Sequence, residues 1–209
     1  MSLHLYTYIN PPNQRHIEQM VRTLEQGGVL ALPLETSWSF CCDASSRKGL
    51  DRIRKLKPTK TKAQPFSLIC SNISMASTMA NIGNEKYRML RQALPGPYTF
   101  ILRRGRLLPK RLKDRRENVG IRIPNSPLTL ALIEHFEKPL AASSVPLKDD
   151  ETPFKMGYEV FDRYGHGLDI VADLGDELPG TETTIFDFSK PELELVRVGT
   201  GDPDIFGAL

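Results

Sequence analysis

VGIRIPNSPLTLALIEHFEKPLAAS, residues 119–143, sets out the fold in one stretch. VGIRIP (119–124) has the apolar, branched composition of a strand. PLTLALIEHF (127–136) reads as an apolar helix with Pro127 in its first turn, where a missing N–H costs nothing. PLAAS (139–143) is a second strand. Two features here also bear on function. Arg122 sits among apolar neighbours, so it lies either on a wet face or paired at a site. Its planar guanidinium suits bidentate contact with a carboxylate or phosphate. Ser143 and Ser144 fall at a strand end, the place where α/β sheets often bind ligands.

The same alternation continues outward. Residues 13–26 give a helix with Asn13 as N-cap and Ile17, Met20, Val21 and Leu24 at helical spacing, stopped by Gly27-Gly28. VLALP (29–33) and SWSFCC (37–42) are short strands. Ser45 or Ser46 caps a helix with Leu50, Ile53 and Leu56 on one face, ended by Pro58. FSLIC (66–70) and YTFILR (98–103) are strands, with a helix over 84–94 broken by Pro95-Gly96-Pro97. Beyond residue 143 come a loop, a helix near 157–164, and strands near 168–173, 183–188 and 193–198. Strands interleaved with helices throughout predict an α/β (α+β) domain around one large twisted mixed sheet flanked by helices. The chain reads as a single domain over 1–209, with its core at about 13–200.

Composition is that of an ordinary globular protein, 40% hydrophobic and 25% charged. No apolar run is long enough for a bilayer and no signal-peptide pattern opens the chain, so a cytoplasmic protein without a membrane partner is expected. Cys41, Cys42 and Cys70 give no disulfide framework, in keeping with a reducing compartment.

Charge is strongly segregated. Residues 47–62 and 103–116 each hold eight Lys/Arg and one acid, whereas residues 149–209 hold 15 acids against 4 bases. Two such segments form the footprint expected for a polyanion, a nucleotide or an RNA, although solvated helix faces give the same pattern. A homodimer formed between the basic face and the acidic C-terminal region of another copy is a further reading.

Familiar catalytic signatures are missing. There is no Walker loop, no GxGxxG after a strand, no HExxH, no CxxC and no GxSxG, and the four histidines are scattered. No metal site is expected, and no catalytic residue is assigned. Phosphate would have to be held by side chains. Lys55 and Lys57 stand two apart at a helix end, where they could reach one polyphosphate from the same side, although helix-dipole stabilisation explains the same residues. Thr99 lies just past the rigid PGPYTF turn.

In order, these fragments resemble the YrdC/YciO family over most of the chain. VLALPLETSWSFCCDA, RIRKLKP, PGPYTFIL, VGIRIPNSPLTLALIEHFEKPLAASSVPL, TETTIFDF and VRVGTG carry the resemblance, of which the Pro-Gly-Pro turn and the ordered set are the specific parts. The resemblance implies a large twisted mixed sheet with a basic concave face, binding of ATP or AMP, and affinity for tRNA or double-stranded RNA. It implies synthesis of L-threonylcarbamoyladenylate from threonine, bicarbonate and ATP, feeding the tRNA modification t6A. ATP would be a substrate, with Mg²⁺ on its phosphates, and no tightly bound cofactor is expected. By position, Lys55, Lys57, Thr99, Ser144 and Arg197 are implied on the nucleotide side, and Arg122, Thr183 and Thr36 on the threonine side. Arg103, Arg104, Arg106, Lys110, Arg111, Lys113, Arg115 and Arg116 are left for RNA.

The chain departs from the family pattern at several positions. Pro146 stands where the family has the Asn of Ser-x-Asn, Lys57 where it has Arg, and Leu34 where Thr follows the strand. Trp38-Ser39 replaces Tyr-Gly, and Gln64 stands for a usual His. These departures resemble the YciO branch, and leave two readings: the synthase, or an RNA-binding protein of the same fold.

Overall fold

The computed structural model describes residues 2–57, 65–110, 112 and 117–207. Its N-terminal half runs β1 (Leu3–Tyr6), α1 (Gln14–Glu25), β2 (Leu30–Pro33), β3 (Trp38–Asp43), α2 (Arg47–Leu56), β4 (Ser67–Ile69), α3 (Ile73–Met79) and α4 (Asn84–Ala93). Then come β5 (Tyr98–Arg103), β6 (Asn118–Arg122), α5 (Pro127–Phe136), β7 (Leu140–Ser144), α6 (Gly157–Tyr164), β8 (Ile170–Asp173), β9 (Thr184–Asp187) and β10 (Glu194–Arg197). The described strands form one sheet in the order β1-β8-β2-β3-β7-β4-β6-β5-β9-β10. Pairing is mixed. β4 runs parallel to β6 and β5 parallel to β9, while β3, β7 and β4 pair antiparallel.

The capping chemistry fixes the helix starts. Asn13 accepts from the His16 N–H and Ser46 from the Gly49 N–H, each satisfying a first-turn donor. α5 begins at Pro127 as its sequence requires, and stops at Glu137, whose left-handed φ of 58° breaks the ladder. Two elements went unassigned in the sequence. β1 is an edge strand of only four residues and lies outside the expected core limits, yet it pairs with β8 and buries Leu5. α3 has seven residues, too few for a clear apolar period, and is capped by Asn72.

Alternation along the strands gives the sheet two apolar faces. On one, α1 and α5 cover Leu30, Leu32, Cys41, Ile69 and Leu140. On the other, α2, α4 and α6 cover Phe40, Cys42, Leu68, Phe100 and Phe186. The first face continues across β4, β6 and β5 as Ser67, Gly120, Arg122 and Thr99, and there it lines a cavity. No described helix is long and apolar enough to cross a membrane.

Candidate functional site: a buried guanidinium between two lobes

The cavity has a smaller lobe of about 360 Å³ and a larger one of about 770 Å³. Arg122, Ser144, Thr183 and Arg197 line both, so the lobes meet at these four residues.

Arg122 is the last residue of β6 and only 6% exposed. Its Nη2 lies 3.5 Å from Glu35 Oε1, a loose ion pair. Arg122 Nε and Nη2 and both Glu35 carboxylate oxygens are buried without a hydrogen-bond partner. Burial raises the Glu35 carboxyl above its usual value, against the pull of the adjacent guanidinium. Burial likewise pulls the Arg122 guanidinium down, with Glu35 opposing. Both groups therefore carry unmet hydrogen-bonding capacity in a place where leaving it unmet is costly. An anion in the cavity would be drawn to the guanidinium charge that Glu35 only partly compensates.

A chain of hydrogen bonds fixes the wall beside it. Thr99 Oγ1 and Thr183 Oγ1 are 2.8 Å apart. Arg197, from the sheet-edge strand β10, donates through Nε and Nη2 to the Thr183 carbonyl at 3.0 and 2.9 Å, and through Nη1 to Glu182 at 2.7 Å. Arg197 thus braces Thr183 at the junction of the lobes, its charge paired with Glu182. Thr36 is 1% exposed, lines the larger lobe, and accepts the Thr181 N–H through its carbonyl.

The two lysines part company. Lys55 is exposed in the last turn of α2 and does not line either lobe. Lys57 follows the helix in extended conformation, lines the larger lobe, and donates to Ser143 Oγ at 2.7 Å. Burial lowers the pKa of its ammonium. Of the two, Lys57 is the one that lines a lobe, because the chain leaves the helical path there and redirects its side chain. Pro146 and Trp38 line the larger lobe and Ser39 the smaller.

Arg103, Arg104, Arg106 and Lys110 are exposed at the end of β5 and in the turn after it, outside both lobes. Arg103 Nε donates to the Ser189 carbonyl at 2.9 Å. Arg111, Lys113, Arg115 and Arg116 lie outside the described residues, as does Gln64. The three cysteines are buried, and burial pushes the Cys41 and Cys70 thiols up to about 12 and Cys42 higher still.

Among the polar lining or supporting positions that escaped the sequence reading are Glu35, Ser67 and Asn118. Glu35 had a usable signal, an acid between Leu34 and Thr36 directly after an apolar strand. Ser67 and Asn118 had none, since their part depends on strand register.

Among known proteins, residues 22–199 match the Sua5/YciO/YrdC family, described as "Telomere recombination". Escherichia coli YciO is 30% identical over 203 residues, covering 97% of this chain and 98% of that protein. The crystal structure of E. coli YciO superposes with a TM-score of 0.90 at 29% identity, over 99% of this chain and all of that one. The threonylcarbamoyl-AMP synthase of Pyrococcus abyssi is 25% identical over 84% of this chain, which spans 52% of that protein. The crystal structure of P. abyssi Sua5 complexed with L-threonine shares the fold, with a TM-score of 0.82 at 21% identity over 95% of this chain and 57% of that one. The match over residues 22–199, on a large mixed α/β sheet of the YciO kind, places this chain in the Sua5/YciO/YrdC family, which includes the threonylcarbamoyl-AMP synthases.

Proposed function

We propose that this chain is an adenylyltransferase that activates an N-carboxylated amino acid with ATP, the chemistry by which threonylcarbamoyl-AMP is made for t6A. The observation that carries the reading is Arg122: a buried guanidinium with unpartnered N–H groups between two lobes. In this reading the amino acid's carboxylate sits on Arg122, flanked by the Thr99–Thr183 pair. Its amine, joined to bicarbonate with loss of water, forms a carbamate facing the larger lobe. A carbamate oxygen then attacks the α-phosphorus of ATP and pyrophosphate leaves.

The protein's part is positioning and charge neutralisation. In this reading Lys57, whose ammonium donates to Ser143, meets the phosphates, and Arg197, paired with Glu182, braces the junction of the lobes. Among the described residues no group of three or more His, Cys, Asp or Glu side chains could hold a metal ion. Mg²⁺ would arrive on the nucleotide's own phosphates, the usual habit of this ion. The test is pyrophosphate release from ATP, bicarbonate and L-threonine, with an authentic synthase run in parallel and Arg122→Ala as control. Activity lost in Arg122→Ala supports the reading; no pyrophosphate from the parent chain overturns it.

A second reading, contact with double-stranded RNA or tRNA, is supported by the exposed Arg103, Arg104, Arg106 and Lys110, none of which lines the cavity. The two readings are compatible, because they use different residues.

A further inference from the structure

The smaller lobe is much longer than threonine needs. It runs along the sheet from Arg122 to Asn118, both of which line it. Four residue steps of a strand span about 13 Å. Threonine's side chain reaches only about 4 Å from its carboxylate carbon at ordinary bond lengths. The floor between the two ends is kept low by strand register. Ala142 pairs with Ser67, Ser67 with Gly120, and Gly120 with Ile101. Three small residues in a row leave a trough where larger ones would fill it. A Cβ at Gly120 would stand 3.1 Å from Ser67 Oγ and 3.5 Å from Thr99 Cγ2, so even one methyl would raise the floor.

The chemistry changes along the trough. Phe66, Ile101 and Ile185 make its sides apolar, and Phe66 is held by the Arg54 guanidinium 5.3 Å above its ring. At the far end the exposed Asn118 carries both a donor and an acceptor. A carboxylate on Arg122 therefore directs an amine toward the larger lobe and leaves the trough for the side chain.

We infer that the amino acid this chain recognises has an unbranched side chain longer than threonine's, apolar along its stem and ending in a neutral hydrogen-bonding group such as a carboxamide or ureido group. The inference rests on the reading of Arg122 as the carboxylate clamp and adds the substrate class.

The test is calorimetric titration of the full chain with L-threonine, L-glutamine and L-citrulline, alongside Gly120→Ala and Ser67→Val variants checked for folding by thermal melts. L-citrulline is expected to bind about fourfold more tightly than L-threonine, the equivalent of one further buried methylene. Both variants should remove that preference, bringing citrulline affinity down to that of threonine or below it. If threonine binds at least as tightly as citrulline, the inference is overturned and the clamp stands. A preference that survives both substitutions also overturns it, since the side chain would then lie elsewhere. If none of the three amino acids binds, the clamp itself is wrong.

Discussion

Arg122 Nη2 and Glu35 Oε1 lie 3.5 Å apart, close enough for charge attraction and too far for a good hydrogen bond, so each is a buried charge only half satisfied by the other. Removing one partner should leave the other uncompensated. Arg122→Met is expected to lower stability by about 3–5 kcal/mol, and the Glu35→Gln/Arg122→Met double variant to recover most of that loss. Urea unfolding of the two single variants, the double variant and the parent chain measures the coupling.

Glu35 also gives stability a pH dependence of known sign. Its folded pKa is raised above the ordinary 4.5, so the folded state binds its proton more firmly than the unfolded state. Its contribution is fully present below the unfolded pKa and is lost as pH rises through the folded one. In Glu35→Gln that decline should vanish, and the stability gap between parent and variant should shift in the variant's favour from pH 4.5 upward. Unfolding curves across that range check it; parallel pH profiles would sink the assignment.

Lys57 and Lys55 should differ sharply in nucleotide binding, because only Lys57 lines the larger lobe. Lys57→Ala is expected to weaken ATP binding about tenfold or more, the scale of one charge-assisted hydrogen bond, with Lys55→Ala nearly silent. Fluorescence titration with a labelled ATP analogue distinguishes them. Equal effects would mean that the phosphates lie over α2 and not in the cavity.

For RNA, the exposed basic turn predicts salt-dependent binding. Replacing Arg103, Arg104 and Arg106 by Gln should reduce the log–log salt slope of duplex RNA binding by about two to three, close to one for each phosphate that is no longer neutralised. An unchanged slope would place any RNA on another surface.

The thiols give a check on the core. Cys41, Cys42 and Cys70 are buried with raised pKa values, so a thiol reagent should leave the native protein unmodified at neutral pH and label all three after denaturation. Rapid labelling of any one in the native state would contradict the packing.

Helices with a clear period and a chemical start signal were legible in the sequence. α1 begins after Asn13 and α5 at Pro127, where local chemistry alone decides. β1 and α3 were not, because a four-residue edge strand and a seven-residue helix owe their form to what they pack against. At the site, Arg122 stood out as a charge in an apolar strand. The separation of Lys57 from Lys55 depends on one backbone torsion after a helix, and the trough depends on which residues of four strands stand side by side. Neither is written in any contiguous stretch.

That dispersal has a consequence for how the protein comes into being. β5 pairs with β9, and the Thr99–Thr183 hydrogen bond joins residues 84 positions apart, with Arg197 arriving later still from β10. A nascent chain on the ribosome can fold much of the sheet around α1 and α5 before these last strands emerge, yet it has no finished wall to hold a ligand. If the cavity binds as proposed, a chain truncated before Thr183 would lack the Thr99–Thr183 bond and the Arg197 brace, and with them this wall.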